Sequence, residues 1–268
     1  MEIRDKRIDD GKAFDWGKTS KEYAKYRDIY PEEFYRKVVN RGLCVSGQKV
    51  LDLETGTGIV PRNMYKYGAQ WTGTDISPEQ IEQAKLLAAE GDMNIDFRAL
   101  ATEQLLDNPD FQKESFDVIT ACQCFWYFDH EKVMPVLADF LKPNGKLVIL
   151  YMAWLPEEDK IAGASEKMIL KYSPKWTGCG AQRHENWVPD VAYKYFDKLE
   201  HEEFDLMVPF TKESWHGRVR ASRGIGASLN PEELASWDAE HRALLDEIAP
   251  EKFDILHYGA ITVLQKKN

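Results

Sequence analysis

The residues most able to do chemistry lie in one short stretch and one acid beyond it. Val50-Leu51-Asp52-Leu53 runs directly into Glu54-Thr55-Gly56-Thr57-Gly58, and Pro61 then opens a helix. Glycines are needed there because a ligand must approach the backbone closely and the chain must turn sharply into a helix whose free N–H groups face that ligand. Seventeen residues beyond Gly58 comes Asp75, at the end of a second strand and just before Ile76-Ser77-Pro78. An acid at that place can accept hydrogen bonds from both ribose hydroxyls of an adenosine. A simpler role, support of a Ser77 helix cap, is open to it as well. A dinucleotide site would want glycine or alanine where Pro61 stands, which disfavours an NAD-dependent oxidoreductase.

The elements that must position these residues read as α/β. From Gln48 to Met152 short apolar runs alternate with helical periodicity, the pattern of a parallel sheet flanked by helices. Strands are expected at Lys49–Leu53, Gln70–Thr74, Asn94–Arg98, Phe116–Ala121 and Lys146–Met152. Ser77-Pro78-Glu79-Gln80 caps one helix, with Ile81, Ala84, Leu87 and Ala88 on one face. Val133, Val136, Leu137, Phe140 and Leu141 mark a second, ended by the turn Lys142-Pro143-Asn144-Gly145. Residues 14–41 read as helices split before Pro31, and 154–250 hold a strand at Glu203–Phe210 and a helix opened by Asn230-Pro231. That helix should bury Leu234, Trp237, His241, Leu244, Leu245 and Ile248. Ala260–Leu264 can pair with Glu203–Phe210 as an antiparallel edge.

Asp52-x-x-x-Gly56-x-Gly58 with Asp75 resembles motifs I and II of the class I S-adenosylmethionine-dependent methyltransferases. Phe116–Asp129 resembles the fourth strand and post-strand segment of that family, especially the small-molecule branch similar to trans-aconitate methyltransferases. Leu141–Leu147 resembles the turn before the fifth strand, and Tyr23-x-x-Tyr26-Arg27 with Tyr30-Pro31 resembles the amino-terminal helix that closes over the cofactor. The likeness covers about residues 20–153 and is specific as a set. It implies a Rossmann-like fold with a mixed seven-stranded sheet, its last strand antiparallel, under a helical cap. The whole chain, 1–268, is then a single domain with a cofactor-binding core at 44–153, capping and substrate elements at 14–41 and 154–250, and the last strand at 251–268.

The implied cofactor is S-adenosyl-L-methionine, leaving as S-adenosyl-L-homocysteine, and the implied reaction is methyl transfer to a small molecule. Its methionine part falls on the loop Glu54–Gly58 through Glu54, Gly56 and Gly58, with Asp52 also a cofactor-binding residue, its ribose on Asp75, and its adenine against Ile76 and the backbone of Leu100 and Ala101. Cys122 and Gln123 approach the amino group or sulfonium, and Tyr23 and Arg27 close the site. Glu54 stands where the family usually has glycine, and a contact between its carboxylate and the methionine ammonium is expected. A second reading of that substitution is a protein that binds the cofactor with little turnover.

For the acceptor, Tyr26, Trp126, Tyr127, Trp154 and His257 are candidate walls, since large apolar faces with one polar atom orient small substrates. Trp215–Gly224 carries Arg218, Arg220 and Arg223. Arg220 and Arg223 are the expected clamp for a carboxylate, because planar guanidinium groups suit bidentate anion recognition. Displacement at a sulfonium needs no base for a carboxylate acceptor. A hydroxyl or amine acceptor would draw on His130, His216, His257 or Tyr127. No triad or paired-carboxylate arrangement is visible.

Composition sets the outer bounds. The 268 residues carry 35 Lys and Arg against 45 Asp and Glu, a formal net charge of −10. That balance excludes a concentrated basic surface and so disfavours nucleic acid as a partner. The four cysteines and six histidines show no metal-ligand spacing, so no metal is expected. The charged amino terminus is followed by no apolar segment and no stretch is apolar enough to span a bilayer, which predicts no membrane partner and a cytoplasmic protein.

Overall fold

The computed structural model describes residues 2–267. Its seven strands are β1 (Lys49–Leu53), β2 (Gln70–Asp75), β3 (Asp96–Ala99), β4 (Phe116–Cys122), β5 (Leu141–Trp154), β6 (Phe196–Thr211) and β7 (Lys252–Lys266). They form one sheet in the order β3-β2-β1-β4-β5-β7-β6. The first five pair in parallel, with Asp52 opposite Gly73 on one side and Thr120 on the other. Contacts along β7 run in the opposite sense to β5 and β6: Lys146 meets Gln265 while Leu155 meets Leu256, and Tyr195 meets Lys267 while Lys212 meets Glu251. The sheet is therefore mixed, with β7 antiparallel, as expected.

Every expected strand is present, and β5, β6 and β7 are longer than the apolar runs that announced them. In β5 the turn Lys142–Gly145 appears as a bulge inside the strand, with Asn144 at φ 62° and a register shift between Phe116 and Val118 on β4. A bulge accommodates the extra residues without ending the ladder.

The helices are α1 (Ser20–Tyr26), α2 (Glu32–Val39), α3 (Ile59–Met64), α4 (Pro78–Glu90), α5 (His130–Phe140), α6 (Lys160–Tyr172), α7 (Lys212–Arg220) and α8 (Pro231–Ile248). Pro31 separates α1 from α2, as its steric effect on the preceding residue requires. Ser77 caps α4 by accepting from the Gln80 N–H, and Asn230 caps α8 in a reciprocal box with Glu233. α8 buries Trp237, His241 and Leu245, whereas Ile248 in its last turn is exposed, a correction to the expected face.

Two compact units divide the chain. One comprises Pro31–Met152, His184–Phe204 and Gly259–Asn268; the other comprises Met1–Tyr30, Ala153–Arg183 and Asp205–Tyr258. Three of the five boundaries fall inside β5, β6 and β7, and α2 and residues 184–204 belong to the same unit as the first four strands. The first unit is organised by Leu51, Leu53, Ile119, Val133, Leu137, Phe140, Leu147 and their neighbours, with Ile81, Ala84, Ala88 and Phe97 packing α4 on the sheet. In the second unit Trp154, Trp215, Phe210, Trp237 and Ile169 are buried.

Candidate functional site

At the carboxyl end of β1 the chain leaves the sheet through Glu54–Gly58 and enters α3. Three residues of this loop have left-handed backbones, Glu54 at φ 45°, Gly56 at 59° and Gly58 at 72°. A Cβ on Gly58 would lie 2.4 Å from the Phe97 ring, so glycine there serves both the turn and the packing of β3 under it. Asp52 lies beneath the loop, buried, and its two oxygens accept from the hydroxyls of Thr55 and Thr120 at 2.5 Å each. Burial pushes its carboxyl up to about 7 against the opposing effect of those hydroxyls. The expected direct place at a cofactor is thereby corrected: Asp52 braces the loop from inside the sheet, because both its oxygens face threonines.

Asp75, 7% exposed at the end of β2, holds two segments at once. Its Oδ2 accepts from the Gly56 N–H at 2.8 Å and its Oδ1 from the Ser77 N–H at 2.8 Å. Each oxygen has a further lone pair for a ligand hydroxyl. Both sequence readings of Asp75, acceptor for a diol and support of the α4 start, are geometrically compatible. The Leu100 N–H donates to the Asp75 carbonyl at 2.9 Å, which brings Leu100 and Ala101 beside the same strand end. Ile76 is 38% exposed there, an apolar face at the mouth of the loop.

The Glu54 carboxylate turns toward this nucleoside side. Its Oε2 accepts from the Ile76 N–H at 3.3 Å and its Oε1 from the Thr102 hydroxyl at 3.0 Å. Burial first, and the Asp75 charge second, raise its pKa, and burial raises that of Asp75 against its two N–H donors. Both Glu54 oxygens are thus engaged, by Ile76 and Thr102, and a methionine ammonium would meet only the lone pairs these donors leave. Thr55, Thr102 and Thr120 escaped sequence reasoning. Thr120 is 68 residues from its partner and Thr102 is 48 from its own, and no local pattern marks such a pairing.

After β4 the backbone turns at Gln123, φ 62°, whose N–H donates to the Leu150 carbonyl at 3.0 Å and whose side-chain amide donates to the Met152 carbonyl. Cys122 ends β4 beside it, partly buried. Of the aromatic run, Phe125 and Phe128 are core, Tyr127 packs against that core, and Trp126 is 40% exposed with its ring edge-on to Tyr151 at 5.2 Å. His130 Nε2 lies 2.9 Å from the Phe125 carbonyl.

The remaining expected residues belong to the other unit. Arg27 lies over the Tyr23 ring at 4.7 Å. The Tyr26 hydroxyl donates to Glu213 at 3.0 Å and its ring rests on Gly217. Trp154 is buried, donating from Nε1 to Glu166 at 3.0 Å. His257 is buried, with Nδ1 3.0 Å from the Ile255 carbonyl. His216 sits between Asp238, 3.1 Å from Nε2, and His241, 3.0 Å from Nδ1. Arg220 pairs with Asp238 and with Glu22 at 2.6 Å, and Arg223 pairs with buried Asp9 at 2.7 Å and bonds Thr177. The expected anion clamp of Arg220 and Arg223 is corrected, because both guanidinium groups are held by carboxylates of the chain itself.

Residues 51–149 match the family model of a methyltransferase domain. That segment, from β1 into β5, is similar in sequence to a methyltransferase domain. A ubiquinone biosynthesis O-methyltransferase of Xanthomonas euvesicatoria pv. vesicatoria is 30% identical over 140 residues, 52% of this chain and 57% of that protein. The enzyme of the same name from Xanthomonas oryzae pv. oryzae strain PXO99A is 25% identical over 185 residues, 69% of this chain and 74% of its own. Among solved structures, a candidate sarcosine dimethylglycine methyltransferase from Galdieria sulphuraria superposes with TM-score 0.51 at 19% identity, covering 87% of this chain and 84% of that one. The [4+2]-cyclase SpnF does so with TM-score 0.51 at 17% identity, covering 87% and 80%. At such identities these neighbours speak for the fold, and a cyclase among them illustrates that the fold alone does not fix the reaction. Among the described residues no helix is long and apolar enough to cross a membrane.

Proposed function

We propose that the methyltransferase domain uses S-adenosyl-L-methionine to methylate an oxygen of a small molecule, a carboxylate oxygen being the specific choice. The observation that carries the donor is Asp75: an acid at the end of β2, tied to the glycine loop through Gly56 and to the α4 start through Ser77. Its lone pairs, the left-handed loop at Gly56 and Gly58, and the exposed face of Ile76 fit a diol, a close-approaching chain and a purine ring. When bound, the cofactor supplies an already activated methyl group on a sulfonium. The chain's own residues then have to bind, orient and exclude water.

A carboxylate acceptor is nucleophilic without a base. That suits a domain in which His130 Nε2 already meets a carbonyl and the pKa values of Asp52, Glu54 and Asp75 are raised by burial. The names of the relatives, O-methyltransferases of ubiquinone biosynthesis, support an oxygen acceptor of low mass. The reading with little turnover keeps the same contacts. Calorimetry with S-adenosylhomocysteine tests the donor: wild type should bind and Asp75→Asn should lose about tenfold or more, because an amide turns a donor toward one of the two N–H groups. Equal binding by both proteins refutes the assignment of Asp75. Methyl release across a panel of small organic acids tests turnover, and binding without product favours the second reading.

A further inference from the structure

Among the described residues, Arg218 is the one of the three arginines on and just after α7 that pairs with no acid. It is 6% exposed, and its Nε and Nη1 are buried with no hydrogen-bond acceptor among the described residues. Its guanidinium carbon stands 4.9 Å from the centre of the Trp154 ring. The groups acting on its charge are a second cation, Arg27, and the hydroxyl-bearing rings of Tyr23 and Tyr30. Burial and Arg27 both disfavour its charged form and pull its pKa well below the usual arginine value. A guanidinium nevertheless keeps its proton in proteins. A buried cation beside another cation, in a chain of net charge −10, is costly unless an anion completes it. His257 adds a further polar atom to the same surroundings. Its charge is opposed by Arg218 and Arg27, its Nδ1 meets the Ile255 carbonyl, and its buried Nε2 has no partner. A neutral imidazole with the proton on Nδ1 presents Nε2 as an acceptor.

We propose that Arg218, with its guanidinium over the Trp154 ring and Arg27 nearby, is the binding site for the carboxylate of a small organic acid. Two parallel N–H donors of a guanidinium match the two oxygens of a carboxylate, and the ring behind them fixes the plane. Arg220 and Arg223, two and five residues on, cannot do this because Asp238, Glu22 and Asp9 already hold them. The carboxylate is that of a small organic acid, and the amino-acid carboxylate of the cofactor is an outcome the test distinguishes. Calling it a ligand of methyl transfer rests on the function proposed above, whereas the guanidinium site does not.

Two series of probes test this on the full chain: succinate against chloride at matched ionic strength, and S-adenosylhomocysteine against methylthioadenosine, which lacks the amino-acid carboxylate. Succinate should raise the unfolding temperature of wild type beyond chloride, or S-adenosylhomocysteine should bind it more tightly than methylthioadenosine. Arg218→Met should lose that gain, with affinity falling at least about tenfold. The unliganded variant should unfold no lower than wild type, since a buried unpaired charge has been replaced by an apolar chain of similar length. A structural arginine would give the opposite shift. Arg218→Gln reads the same loss if the methionine variant fails to fold. Loss confined to succinate assigns the carboxylate to an acceptor, and loss confined to S-adenosylhomocysteine assigns it to the cofactor. The proposal is overturned if neither carboxylate favours wild type, or if both variants bind as wild type does. Failure of wild type to bind S-adenosylhomocysteine would instead refute the proposed donor and leave the succinate series to decide Arg218.

Discussion

Replacing Glu54 with glycine should tighten cofactor binding below neutral pH. In the fold Glu54 occupies a left-handed backbone at φ 45°, which costs a non-glycine residue about 1 kcal/mol and a glycine nothing. The variant loses acceptors for the Ile76 N–H and the Thr102 hydroxyl, about 1 kcal/mol each, so stability should fall by only about 1 kcal/mol in all. The larger effect is electrostatic. Burial holds both carboxyls above their usual range, Asp75 at about 6 and Glu54 at about 8, the latter raised further by the Asp75 charge, and the glycine variant admits water beside Asp75 and so relieves its burial. A ribose diol wants Asp75 ionised, so binding must first remove a proton wherever the pH lies below the folded pKa. Each unit by which the variant lowers that pKa relieves about 1.4 kcal/mol, a factor of about ten in affinity. Calorimetry with S-adenosylhomocysteine across mildly acidic to mildly alkaline pH should show wild-type affinity rising with pH. Glu54→Gly should give a flatter profile that lies above wild type at the acid end, whereas Glu54→Gln, which keeps the side-chain volume beside Asp75, should follow wild type there. A variant that binds about tenfold more weakly at every pH would refute this reasoning and put the Glu54 carboxylate back on the cofactor ammonium.

Burial lowers the pKa of His241 to about 3, so the folded protein keeps this side chain neutral while the unfolded chain protonates it near 6.5. Its contribution is present above that value and is lost as pH falls, by about 1.4 kcal/mol per unit. The stability gap between wild type and His241→Gln should shrink by about 2 kcal/mol from pH 7 to pH 5 in urea denaturation. Arg223→Met strands the Asp9 carboxylate in the interior and should cost about 3–5 kcal/mol in the same assay, whereas Arg220→Ala, on half-exposed partners, should cost about 1 kcal/mol. Gly58→Ala puts a Cβ against Phe97 on a left-handed backbone, and about 1–3 kcal/mol of stability should go together with S-adenosylhomocysteine binding.

How far the sequence could be read depended on whether a feature closes locally. Asp52, the glycines at 56 and 58, Asp75 and the Ser77 cap lie within a span of two strands and two helix starts, and the chain has few ways to fold such a pattern. The parallel order of β1–β4 and the capped helices α4 and α8 were legible for the same reason. The lengths of β5, β6 and β7 were not. Their outer residues are polar, and it is the neighbouring strand, not their own periodicity, that keeps them extended.

By itself, then, the sequence determined that an acid and two glycines would meet at the end of a parallel strand, because adjacency along the chain is enough to bring them there. It could not say which way Glu54 would turn, since Thr102 is reached only through β3. Nor could it distinguish three arginines within six residues. Asp9, Glu22 and Asp238, which hold Arg223 and Arg220, lie 18 to 214 residues from the arginines they pair with, and none of them reaches Arg218. A charge is defined by type in the sequence and by its partner in space, and only the tertiary structure decides which cation is left for a ligand.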